Sequence, residues 1–134
     1  MEKKKQVKLL IIDDQPDHIA TLREHTEMYN ANYSLECNFV KSTKAAIEAL
    51  RNFQPSVVLL DAHTKDLKGL EIIERFNHNG ASVVVTSRER SDDIEVSALE
   101  HGAAAYVPMS ENPDDMDLMM ETIAAVALPG EQNH

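Results

Sequence analysis

The stretch "VKLLIIDDQPD", residues 7–17, drives an apolar run, unbroken from Leu9 to Ile12, into two adjacent carboxylates, Asp13 and Asp14. An unbroken apolar run of this length suits a strand covered on both faces, and such strands belong to parallel sheets. Four more runs follow: Leu35 to Val40 in looser alternation, Val57 to Leu60, Val83 to Val85, and Ala104 to Val107. Between them the spacing turns helical. Ile19, Leu22, Thr26 and Tyr29 mark one face, Ala46, Ile47, Leu50 and Phe53 a second, and Leu70, Ile73 and Phe76 a third. Punctuation agrees: Pro16 suits a first turn, Ser42 and Ser91 suit N-caps, Asp92 and Asp93 suit a positive helix end, and Gly80 and Gly102 suit helix exits. A last helix is expected from about Pro113, carrying Met116, Met120 and Ile123 and fading before Pro129. Strands alternating with helices at this spacing predict an α/β doubly wound (βα)5 sandwich, a five-stranded parallel sheet with helices on both faces.

The chain of 134 residues is read as one domain over 7–128, with residues 1–6 a tail and 129–134 a tail or the start of a linker. Its 13 basic and 23 acidic residues give a net charge of -10, which argues against nucleic acid or an anionic membrane surface as partner. Cys37 has no second cysteine to pair with and reads as an inert small hydrophobe in a strand. No apolar stretch approaches the ~18 residues of a membrane helix, so the expectation is a soluble, cytoplasmic protein. Lys3, Lys4 and Lys5 read as a solvated start.

In such sheets ligands bind beyond the carboxyl ends of the strands, where strand order reverses. The first strand ends at Asp13 and Asp14, the third at Asp61, and the fourth at Thr86 and Ser87. Two carboxylates ~4 Å apart repel by ~4 kcal/mol at an intermediate effective dielectric, and a hard divalent cation removes the conflict. Oxygen ligands favour Mg²⁺, with Mn²⁺ as a substitute, over zinc. Asp61 beside a cation is placed as a nucleophile for a phosphoryl group. The histidines at 18, 63 and 101 lack the paired helical spacing of a transition-metal site, and His18, in a first turn, is expected to be solvated. Met116, Met119 and Met120 read as helix-packing residues.

With these residues in view, the chain resembles the response-regulator receiver domains of bacterial two-component signalling. The likeness runs from Val7 to about Leu128 and rests on "LLIIDDQPD", "PSVVLLDAHTKDLKGLEII", "VVVTS" and "HGAAAYVPMS" in that order. It implies a flavodoxin-like fold and a signalling switch rather than a turnover enzyme. It further implies phosphorylation of Asp61 by a sensor histidine kinase or a histidine phosphotransfer protein, and Mg²⁺ held by Asp13, Asp14, Asp61 and the backbone carbonyl of His63. Thr86 would bond a phosphoryl oxygen, Tyr106 would be the switch aromatic, and the fourth helix, fifth strand and last helix, with Val96, Tyr106, Asp117 and Glu121, would carry output or a homodimer contact.

Two departures stand out. Met109 falls where the family has its lysine, and no lysine occurs after Lys68; Lys65 stands where a proline is usual. Loss of a phosphate-pairing cation weakens coupling between phosphorylation and switching, and leaves a more negative site that should bind divalent metal no worse than an ordinary receiver. Lys65 and Arg88 are the possible substitute cations, both expected in solvent. His63, two residues after the acceptor, overhangs the site or is a plain loop residue. The reading is a phosphoacceptor receiver with altered switching. The alternative is a pseudo-receiver that docks partners without phosphorylation, and a small Mg²⁺-dependent phosphatase or nuclease ranks below both because no general acid or base is evident.

Overall fold

The computed structural model describes residues 5–28, 33–110 and 112–128. Strands β1 (Lys5–Ile12), β2 (Tyr33–Val40), β3 (Val57–Asp61), β4 (Ser82–Ser87) and β5 (Ala105–Pro108) alternate with helices α1 (Pro16–Met28), α2 (Thr43–Phe53), α3 (Ile72–His78), α4 (Asp92–Glu100) and α5 (Pro113–Ala127). All pairings are parallel and the order is β2-β1-β3-β4-β5. The doubly wound sandwich expected from the apolar runs is therefore the fold. Lys5 and Gln6, expected in the tail, begin β1 opposite Tyr33 and Ser34. Tyr29 and the expected tail at 129–134 lie outside the described residues.

Period-two alternation divides the core. Leu9, Ile11, Val57, Leu59, Val84 and Val107 face α1 and α5 through Leu22, Met116, Met119, Met120 and Ile123. Leu10, Ile12, Val58, Leu60, Val83 and Val85 face α2, α3 and α4 through Ala46, Leu50, Ile73, Phe76 and Ala98. The three methionines of α5 are buried core residues, as expected. Edge strands β2 and β5 are covered less completely.

Local chemistry sets the helix ends. The hydroxyls of Ser42 and Ser91 accept from the backbone N–H of Ala45 and Ile94, and the Asn112 side chain accepts from Asp114 N–H with Pro113 in the first turn. Gly102 leaves α4 at φ +102°, where an added Cβ would stand 2.6 Å from Asn77 Nδ2. Leu70 is buried but precedes α3 rather than belonging to it. Cys37 is half-buried, and burial pushes its thiol up, which suits an inert residue.

Candidate functional site at the carboxyl ends of the strands

Strand order reverses between β1 and β3, each of which neighbours the other while the chain leaves them in opposite directions. Directly beyond Ile12, Asp13 keeps the ladder going with its N–H on Val40 O at 3.1 Å, and its buried side chain turns inward. Asp13 Oδ1 accepts from Gln15 N–H at 2.9 Å, a local turn that launches α1 at Pro16. Asp13 Oδ2 lies 3.0 Å from His18 Nδ1. Asp61, the last residue of β3, is 1% exposed. Its Oδ1 accepts from His63 N–H at 3.0 Å, while Oδ2 has no hydrogen-bond partner among the described residues and stands 3.8 Å from His18 Nδ1.

Asp13, His18 and Asp61 thus form a buried cluster whose potential ligand atoms all lie within 4.8 Å of one another. Burial pushes the Asp13 carboxyl up to about 6, and the Asp61 charge adds to the rise; the Gln15 N–H and His18 pull the other way. Asp14 is outside that cluster. Its Oδ2 accepts from Lys65 N–H at 2.7 Å and its Oδ1 from Gln15 Nε2 at 3.0 Å, tying the loop after β3 to the start of α1.

Thr86 sits opposite Asp61 in the β3–β4 register, 1% exposed, with Oγ1 unpartnered among the described residues. An exposed His63 and the exposed Arg88 join Gln15, His18, Asp61 and Glu89 around an open cleft of about 340 Å³. A second cleft of about 520 Å³, lined by Asp17, His18, Thr21, Arg88, Met109 and Ser110, shares His18 and Arg88 with the first.

Met109 is buried in the α1/α5 side of the core, with its N–H on Ser87 O at 2.7 Å. It brings no charge to the carboxylates. Tyr106 is half-buried and turned toward the loop after β4: its hydroxyl contacts Ser87 Oγ and accepts from Ser91 N–H at 3.0 Å. The Lys65 and Arg88 side chains are exposed, as expected, although Arg88 also rims both clefts.

His18 corrects the sequence reading. It is 8% exposed, not solvated. The buried face of α1 runs through His18 and Leu22, four residues apart, whereas the apolar letters alone had put Ile19, which is only half-buried, on that face. Thr64 and Asp66 were also missed. The Thr64 hydroxyl donates to Asp61 O at 2.7 Å and secures the turn after β3. Asp66 accepts from Thr43 and Lys44 N–H, capping α2 from a distant loop, and the Thr43 bond leads in holding its carboxyl below the usual range. Thr64 could have been found as a hydroxyl three residues after a strand-end aspartate; Asp66 leaves no local signal.

A 2-1-3-4-5 parallel sheet that gathers buried carboxylates and a hydroxyl at its switch point defines an acidic receiver-type domain. The sequence model of the response regulator receiver domain matches residues 9–121, and the chain belongs to that family. A probable cyclic di-GMP phosphodiesterase of Vibrio cholerae is 31% identical over 112 residues, covering 80% of this chain and 24% of that protein. The transcriptional regulatory protein MctR of Rhizobium johnstonii is 27% identical over 126 residues, covering 92% of this chain and 58% of its own length. The chain therefore spans less than two thirds of these relatives. A two-component response regulator from Clostridium difficile has the same fold, with a TM-score of 0.78 at 18% identity, covering 96% of this chain and all of that one. Among the described residues no helix is long and apolar enough to cross a membrane.

Proposed function

We propose that this receiver domain accepts a phosphoryl group on Asp61 from a sensor histidine kinase or a histidine phosphotransfer protein, in a Mg²⁺-dependent step in the cytoplasm. The observation that carries this reading is the buried Asp61 Oδ2, unpartnered among the described residues and bordering a cleft, with an equally unpartnered Thr86 Oγ1 on the adjacent strand. Buried polar atoms are rarely left unsatisfied, so an orphaned acceptor beside an orphaned hydroxyl suits a site completed by a ligand.

The donor set fits a divalent cation. Two buried acids share one pocket, and each Asp14 oxygen keeps a lone pair beyond its present hydrogen bond. Asp13, Asp14, Asp61 and the His63 carbonyl would hold Mg²⁺, or Mn²⁺, which supplies positive charge to the phosphoryl oxygens when bound. The Asp61 carboxylate oxygen forms its bond to phosphorus as the P–N bond of phosphohistidine breaks and the imidazole nitrogen keeps the electron pair. His63 N–H holds Asp61 Oδ1 and fixes the carboxylate plane, while Thr86 Oγ–H donates to a phosphoryl oxygen.

With Met109 buried among apolar groups, that transfer proceeds without the family's pairing cation, and its coupling to Tyr106 is weaker. Output is proposed through α4, β5 and α5, where Val96, Leu99 and Leu118 are 55%, 48% and 53% exposed beside the acidic Asp117 and Glu121, a face suited to a homodimer or an effector. Intact-mass measurement after incubation with acetyl phosphate tests the acceptor. A single phosphoryl adduct that needs Mg²⁺ and disappears in Asp61→Asn is expected. No adduct, where an ordinary receiver is modified, overturns it and moves the assignment to phosphorylation-independent docking, the function that buried Met109 alone would favour.

A further inference from the structure

We propose that His18 is a metal ligand, so that Asp13, His18 and Asp61 form a mixed nitrogen and oxygen site selective for a first-row transition ion such as Co²⁺, Ni²⁺ or Zn²⁺ over Mg²⁺. The inference rests on the reading of these strand ends as a cation site and specifies which cation they prefer. His18 Nδ1 lies 3.0 Å from Asp13 Oδ2 and 3.8 Å from Asp61 Oδ2, and all three residues are buried. Two ligand atoms ~2.1 Å from one ion stand ~3.0 Å apart at a right angle and ~3.4 Å apart in a tetrahedron, so one ion reaches all three with small side-chain movements.

The remaining hydrogen bonds leave the right atoms free. Gln15 N–H occupies Asp13 Oδ1 and His63 N–H occupies Asp61 Oδ1, so the oxygens left over are those nearest Nδ1. A plain Nδ1–H bond from His18 to Asp13 would account for Asp13 Oδ2. It leaves Asp61 Oδ2 orphaned at 1% exposure, which an ion bound between the three would not. Buried Met109 brings no charge to the cleft it shares with His18, and Arg88, the cation that rims that cleft, is exposed. An imidazole nitrogen contributes little to Mg²⁺, which prefers oxygen, and strongly to ions of the later first row.

Calorimetric titration of the metal-free protein with Co²⁺ and with Mg²⁺, repeated on His18→Gln and His18→Asn, tests the assignment. Co²⁺ is expected to bind at least ~100-fold more tightly than Mg²⁺, and both variants to lose at least ~10-fold in Co²⁺ affinity while Mg²⁺ affinity changes by less than ~3-fold. The Co²⁺ form of the unaltered protein should show a paramagnetically shifted, exchangeable imidazole N–H proton, a readout that needs no variant. Equal affinities for the two ions, no such proton, or variants that keep the Co²⁺ preference would overturn the assignment of His18 and leave an oxygen-only cation site standing. Binding of neither ion would overturn both readings.

Discussion

Asp13→Asn should make the metal-free protein more stable at neutral and higher pH. The Asp13 carboxyl has an ordinary value of 3.8 and is raised to about 6 in the fold, first by burial and then by the Asp61 charge. A raised carboxyl means that the folded state holds the proton more tightly than the unfolded chain. The stability from this group is therefore fully present below 3.8 and is lost as pH rises through about 6. At about 1.4 kcal/mol per pH unit, this group costs the folded state, relative to acid, up to about 3 kcal/mol at pH values near 8 and about half of that near pH 5. Asparagine carries no charge, and its side-chain oxygen can still accept from Gln15 N–H, so the variant avoids this cost while preserving the turn into α1. For a domain of 134 residues, with an unfolding entropy of roughly 2 cal/mol/K per residue, 3 kcal/mol corresponds to a melting temperature higher by about 10 °C. Thermal and urea unfolding with a chelator present, at both pH values, measures the difference. Adding Mg²⁺ should narrow it, because binding to the folded state stabilises the unaltered protein through a ligand that the variant has lost. A variant no more stable than the parent near pH 8, or an advantage that does not shrink toward pH 5, refutes the claim that two buried carboxylates strain this site.

Met109→Lys places an ammonium beside the cleft lined by His18, and the added positive charge should weaken Mg²⁺ binding by about tenfold or more, as calorimetry would show. Unchanged affinity would mean that the lysine extends into solvent and that the charge at this position does not govern the metal. Tyr106→Phe removes the hydroxyl that accepts from Ser91 N–H, at a cost of about 1 kcal/mol. If the loop after β4 is held by that bond, amide exchange at Ser91 should quicken by about fivefold while Asp61 remains open to acetyl phosphate; unchanged exchange would show that other contacts fix the loop.

The sheet and its switch point were legible because β1, β3 and β4 are covered on both faces, and coverage of that kind writes itself as unbroken apolar letters ending on Asp13, Asp61 and Thr86. The edge strands were legible only in outline: Tyr33 and Ser34 carry no such run, and their pairing with Lys5 and Gln6 depends on a neighbour rather than on their own pattern. The Tyr106 contacts were illegible for another reason, since Ser87 and Ser91 meet its hydroxyl through a loop whose path no periodicity encodes.

His18 was misread although the information was present. A helix assigned from apolar letters alone sends each polar residue to the solvent side, and the error is largest where a polar residue is the inward one. Leu22 is buried, and a residue four positions earlier shares its face. At 1.5 Å of rise per residue, the third residue of a helix that starts just beyond a strand has climbed only ~3–5 Å, so an inward side chain there must overhang the strand end. The phase of Leu22 and the abrupt start of α1 after Asp13 therefore place His18 over the carboxylates before any coordinate is known. The histidine that breaks the apolar stripe is the one the site can use.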